Sequence, residues 1–135
     1  MSYSIEIDTS NNLVIAKFSS RVSADELLHY VIEMEEQGPF AEHFNLLVLV
    51  HPEAKFDMDT RLIREYARRV LVFSPGARRI IVATDDLAFG LSRIWGMESP
   101  NASDQYTTVK TIEQACEILG VSISTLSLGN DLPGV

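Results

Sequence analysis

Apolar positions along the chain change period several times, and each change marks an element. From Tyr3 to Asp8, the apolar Tyr3, Ile5 and Ile7 alternate with Ser4, Glu6 and Asp8, the period of two that marks a half-buried strand. Leu13 to Phe18 is similarly strand-like. Thr9-Ser10-Asn11-Asn12 between them predicts a hairpin whose asparagines tolerate a left-handed turn. The period then lengthens to that of a helix. Ala24, Leu27, Leu28 and Val31 follow Ser23, with Glu26 three residues beyond the serine, so a capping box opens a helix that Gly38-Pro39 stops. Asn45 to Val50 is a short continuous apolar strand. Leu62, Ile63, Tyr66, Ala67, Val70 and Leu71 predict a second helix, ended by Ser74-Pro75-Gly76. Arg79 to Thr84 predicts another strand, and Asp85 and Asp86 can cap a third helix over Leu87 to Met97 with Leu87, Leu91 and Ile94 as its core stripe. Gln105 to Lys110 gives the last strand. Thr111 then caps a short helix with Ile112, Ala115, Cys116 and Leu119 on one face, which Gly120 closes.

The predicted order is ββαβαβαβα. After the hairpin, alternating strands and helices imply right-handed crossovers and a mixed, mostly parallel sheet of four or five strands, an α/β fold. The runs at 45–50 and 79–84 are apolar on both faces, as a sheet covered by helices requires. No internal repeat or linker is visible, so residues 1–120 read as one domain. Residues 121–135 carry Ser, Gly and Pro without a charge pattern and read as a loosely ordered tail.

Three stretches carry a family likeness: Arg21-Val22-Ser23 before the first helix, Asp86-Leu87-Ala88-Phe89-Gly90-Leu91-Ser92-Arg93 in the third, and Thr111-Ile112-Glu113-Gln114-Ala115 near the end. Through them the chain resembles the SpoIIAA-like branch of the STAS domains, the group named for sulfate transporters and anti-sigma-factor antagonists. The likeness covers roughly residues 1–120. It implies a STAS-like sheet with helices packed on it and a regulatory role in binding partners. It also implies a second role, as a carrier of lipophilic molecules or a membrane-associated module. Where such proteins place an aromatic residue before the leucine of the last helix, this chain has Ile118 before Leu119.

Composition narrows the classes. With 135 residues, 46% of them hydrophobic, the chain can bury a core without metal or disulfide staples. A net charge of −8 argues against a nucleic-acid coat, whose affinity would come from phosphate neutralisation by Lys and Arg. The acids near Met1 give no secretory leader, no apolar run approaches the roughly 20 residues that span a bilayer, and Cys116 is the only cysteine. A cytoplasmic protein is expected, in which the sequon Asn101-Ala102-Ser103 has no meaning.

Charge is unevenly placed. Arg61, Arg64, Arg68, Arg69, Arg78 and Arg79 face the single acid Glu65 between positions 61 and 79, a local net of +5 against −13 elsewhere. Arg61, Arg64 and Arg68 share one helical face. One reading is a solvated face in which Glu65 pairs with Arg61 and Arg69. The other is a docking surface, with Arg61, Arg64, Arg68 and Arg69 binding an acidic partner, an anionic ligand head or an anionic membrane.

Asp59-Thr60 stands where regulatory STAS domains carry a phosphorylated hydroxyl. Thr60 is therefore a candidate modification site, while the simpler reading makes Asp59 or Thr60 an ordinary helix cap. The third helix carries two glycines and more apolar surface than one stripe uses. Phe89, Arg93, Trp95 and Met97 are accordingly candidates for a ligand groove or a homodimer surface, against a wide core contact.

Catalytic patterns are not visible. His29, His43 and His51 lack zinc spacing, Asp57-Met58-Asp59 and Asp85-Asp86 read as caps, and Cys116 reads as a packed thiol. No phosphate-binding glycine loop is present, so no cofactor or metal is expected. His51, Thr84 and Asp85 fall at the carboxyl ends of predicted parallel strands, where α/β sheets place polar ligands. The expected function is a non-enzymatic binding module, with a protein partner or a lipophilic small molecule as its ligand.

Overall fold

In the computed structural model, residues 2–36, 44–69, 77–99 and 106–122 are described. Strands β1 (Tyr3–Asp8) and β2 (Leu13–Phe18) form the antiparallel hairpin. Its turn places Asn12 at φ 51°, while the Asp8 carboxylate accepts from the Asn11 N–H at 3.2 Å, the asparagine turn chemistry the sequence predicts. Helix α1 (Ala24–Glu36) opens on the predicted box: Ser23 Oγ accepts from the Glu26 N–H at 3.2 Å, and Glu26 Oε1 accepts from the Ser23 N–H at 3.4 Å. Strand β3 (Asn45–Val50), helix α2 (Thr60–Arg68), strand β4 (Arg79–Ala83), helix α3 (Asp86–Glu98), strand β5 (Tyr106–Val109) and helix α4 (Ile112–Leu119) complete the order.

The sheet has five strands in the order β1-β2-β3-β4-β5, and only β1 runs antiparallel. Each crossover after β2 steps to the next strand in the same direction. Right-handed crossovers then put α1, α2 and α3 on one face, and α4, which follows the last strand, packs on the other against β4 and β5. Pleating divides the apolar strands accordingly. Val14, Ala16, Phe18, Leu46, Val48, Val50, Ile81 and Ala83 belong to the core on the side of the three helices, and Leu13, Ile15, Leu47, Leu49, Ile80 and Val82 form a second core with Ile112, Ala115 and Cys116 of α4. The fold is thus α/β with a mixed sheet, and four helices lie among the described residues.

Two elements depart from expectation. Helix α2 ends at Arg68, with the Arg69 N–H on the Tyr66 carbonyl at 3.0 Å; Val70, Leu71 and the predicted stop at Ser74-Pro75-Gly76 lie outside the described residues, as do Gly38-Pro39, the sequon and the tail from 123 onward. Helix α3 is rotated from the predicted stripe. Ala88, Ser92 and Gly96 are its buried residues, and Leu87 is 65% exposed. Small residues win this face because the helix lies close to β5: a Cβ at Gly96 would stand 3.1 Å from Tyr106 Cβ. At Gly90 the space is open, so only one of the two glycines reflects close packing.

Candidate functional site

Beneath the three helices lies a partly open cavity of about 50 Å³, walled by Phe18, Val48, Val50 and Ile81 of the sheet, Leu27 and Tyr30 of α1, Ile63 of α2, Leu91, Ser92 and Trp95 of α3, and Phe56. Local chemistry sets each wall. The capping box aims Leu27 and Tyr30 inward from the first turns of α1. Asp59 caps α2 by accepting from the Leu62 N–H at 3.0 Å, and this turns Ile63 to the core and the arginines to solvent. Phe56 is held by a short parallel bridge, in which the Val22 N–H donates to the Lys55 carbonyl at 2.7 Å and the Asp57 N–H donates to the Val22 carbonyl at 2.8 Å. Ser92 is the one aliphatic hydroxyl in the wall, and Tyr30 is buried deeply enough that its phenol is pushed far above its ordinary pKa.

Next to the cavity the polar groups are internal. Arg79, expected on the basic surface, is 0% exposed. It shares the pleat of Ile81 and Ala83, whose side of the sheet the helices cover, so its stem and guanidinium go inward together. Its Nη1 donates to the Ala77 carbonyl at 3.4 Å, and the guanidinium carbon lies 5.8 Å from the centre of the Tyr106 ring. Burial lowers its pKa to about 10, against the pull of Tyr106 and Tyr30, and it stays charged at neutral pH. Trp95 Nε1–H donates to the Tyr106 hydroxyl at 3.4 Å, and burial raises that phenol as well.

The α2 surface holds four of the predicted arginines. Arg61, Arg64, Arg68 and Arg69 are all exposed. The ion pairs differ from the expected ones: Glu98 of α3 meets Arg68 Nη2 at 3.0 Å and Arg64 Nε at 3.6 Å, whereas no ion pair joins Glu65 to Arg61 or Arg69 among the described residues. Interhelical register brings a carboxylate from outside the run to its centre. Asp59, not Thr60, supplies the cap, and Thr60 is the exposed first residue of α2, ahead of Arg61 and Arg64.

The four candidates on α3 do not form one surface. Trp95 lines the cavity, Phe89 lies under Lys110 with Nζ 5.2 Å from its ring centre, and Arg93 and Met97 are exposed, Met97 at 69%. Phe89, Arg93 and Met97 follow one another at i, i+4 and i+8 on one outer face, and Trp95, two positions from Arg93 and from Met97, turns to the cavity. At the carboxyl end of the sheet, the pairing of Val50 with Ala83 sets His51 beside Thr84. Their neighbours are already engaged: Asp85 accepts from the Ala88 N–H at 3.2 Å and stands 3.9 Å from Lys55 Nζ, and His51 Nδ1 accepts from the Glu53 N–H at 3.1 Å. Asp86 pairs with Lys110 at 2.7 Å, a hydrogen bond that lowers its pKa. Among the described residues no three His, Cys, Asp or Glu side chains are grouped to hold a metal ion, and no helix is long and apolar enough to cross a membrane.

Comparison with protein-family models, with curated proteins and with solved structures finds no match to this chain. The residues that sequence reasoning missed are the cavity walls Phe18, Leu27, Tyr30, Phe56 and Ser92, together with Glu98. A signal existed for Arg79, since a first residue in phase with Ile81 and Ala83 of a doubly covered strand belongs inside. None existed for Glu98, whose partners lie 30 and 34 positions away on another helix.

Proposed function

We propose that the chain is a non-catalytic binding and regulatory module of the SpoIIAA-like STAS type, which docks a protein partner across α2 and takes an apolar anchor side chain in the adjoining cavity. The observation that carries this reading is the cavity's size. At about 50 Å³, it is about a third of the 150 Å³ that admits benzene and far below the roughly 300 Å³ where small-molecule pockets begin. It suits a side-chain tip, the kind of apolar anchor that concentrates binding energy at an interface. Helix α2 supplies both halves of such a site, with Ile63 in the wall and four arginines outside.

Peptide display against the immobilised protein tests the reading. Enriched sequences should carry a leucine- or phenylalanine-type anchor flanked by Asp or Glu. They should be lost against an Arg64→Glu/Arg68→Glu variant; enrichment with no such pattern rejects the proposal. The apolar lining supports a second reading, a carrier of a lipophilic molecule or a peripheral membrane protein. That reading requires the cavity to expand. It would be favoured by a saturable change in Trp95 fluorescence whose affinity rises with fatty-acid chain length, and by a lipid retained in native mass spectrometry.

A further inference from the structure

Glu98 has a place on the α2 surface that its own helix does not require. It sits in the last turn of α3, where the helix dipole disfavours an acid, and it reaches across to α2. There it divides its two oxygens between two arginines. Oε2 accepts from Arg68 Nε at 3.1 Å and lies 3.0 Å from Arg68 Nη2, while Oε1 lies 3.6 Å from Arg64 Nε. Arg61, on the same helical face and about 10 Å along the axis from Arg68, has no ion-pair partner among the described residues, and neither does Arg69.

We infer that the α2 surface takes an acidic peptide segment, and that Glu98 is its internal stand-in, occupying the two central arginines until a partner's carboxylates displace it. The inference rests on the proposed reading of α2 as a docking face. Charge complementarity identifies the occupant: exposed cations concentrated on a chain of net charge −8, with a carboxylate already seated between two of them. The flanking Arg61 and Arg69 offer the incoming segment its first contacts. Because exposed ion pairs are weak and screened by salt, the stand-in lowers affinity without blocking the site. The chain thereby favours partners that present several acids at once over those with a single carboxylate.

The test is a titration of fluorescein-labelled hexaglutamate peptide at low ionic strength, read by anisotropy. Comparing the parent chain with Glu98→Gln, and with Glu98→Ala in case the amide keeps the contact, is expected to show about two- to fivefold tighter binding once the stand-in charge is gone. Added sodium chloride should weaken binding in every form, and Arg64→Gln/Arg68→Gln should weaken it most. Equal affinity in the parent chain and both Glu98 variants, with binding still lost in the arginine variant, overturns the role of Glu98 and leaves the docking face standing. Absence of peptide binding in every form overturns the face and the inference together. Recruitment by phosphatidylserine vesicles in place of the peptide does the same, and assigns the arginines to a membrane.

Discussion

The two faces of one sheet are built from the same strands and solve different problems. On the α4 side, the buried residues are Leu13, Ile15, Leu47, Leu49, Ile80, Val82, Val109, Ile112, Ala115 and Cys116, aliphatic chains, mostly branched, with one thiol that burial pushes up in pKa. Under α1 to α3 the core holds Tyr3, Phe18 and Tyr30, whose rings meet at centre distances of 5.0 to 5.9 Å, with Phe56 at 5.5 Å from Phe18. It also holds Arg79, Ser92 and Ser99. Branched aliphatic side chains interdigitate to crystal-like density. Rigid rings in tilted and edge-on contact, drawn from a hairpin, a helix and a loop, fill space less completely, and the cavity lies on their side. The difference teaches where to look for function: among the described residues, the cavity and the buried Arg79, Ser92 and Ser99 lie on the three-helix side.

The largest expected effect tests that division directly. Leu47→Ala, at the centre of the aliphatic face and 0% exposed, should cost about 4–5 kcal/mol, near the top of the range for buried leucines, because close-packed neighbours on a central strand cannot collapse into the hole. Leu27→Ala should fall near the bottom of that range, about 2–3 kcal/mol, since its side chain already borders a cavity and alanine suits a helix. Urea unfolding with unchanged m reads both, and equal losses would break the comparison. Next in size is a response to alkali. Burial and the hydrogen bond to Glu33 push the Tyr3 phenol up to about 12 from 10.0. The folded state therefore holds a proton that the unfolded chain gives up, so this contribution is complete below pH 10 and is lost as pH rises through about 12. Its full size is about 3 kcal/mol. Tyr3→Phe should flatten the fall in urea midpoint over that window, and an unchanged slope would remove Tyr3 from the account.

Legibility follows the same boundary. The strands, the Ser23 capping box, the Thr111 cap, the left-handed Asn12 and Gly120, and the burial of Cys116 were legible because each is set by residues within a few positions. The aliphatic face was legible too, since Ile112, Ala115 and Cys116 repeat at helical spacing and Leu47 and Leu49 at strand spacing. The cavity was not, because it joins Phe18, Tyr30, Phe56 and Trp95, which are distant in sequence and meet only through the order of the crossovers. The basic run was legible as charge and misleading as surface. Arg79 follows the pleat inward, and Glu98 reaches the run from α3. Leu87 looked like core by hydropathy, whereas the close approach of Gly96 to Tyr106 turns the helix so that small residues face the sheet.

The smallest effect is the sharpest test of the comparison, because it asks one added methylene to act in opposite directions. Val82 is wholly buried beneath α4, and Val50 is buried on the cavity wall; both sit in parallel strands of the same sheet. Isoleucine keeps the branched Cβ, so strand propensity is held constant. At Val82 the extra carbon has no space to enter and must displace its neighbours, at a cost of about 1–2 kcal/mol. At Val50 the same carbon can enter the cavity and leave water, for a gain of about 0.5–0.8 kcal/mol. Paired urea melts should therefore shift their midpoints in opposite directions. Val50→Ile should in addition blunt any binding that inserts an anchor, since the space it fills is the space the anchor needs. Two losses of equal size would mean that the three-helix face is packed as tightly as the other, and that the cavity has no room to receive a partner.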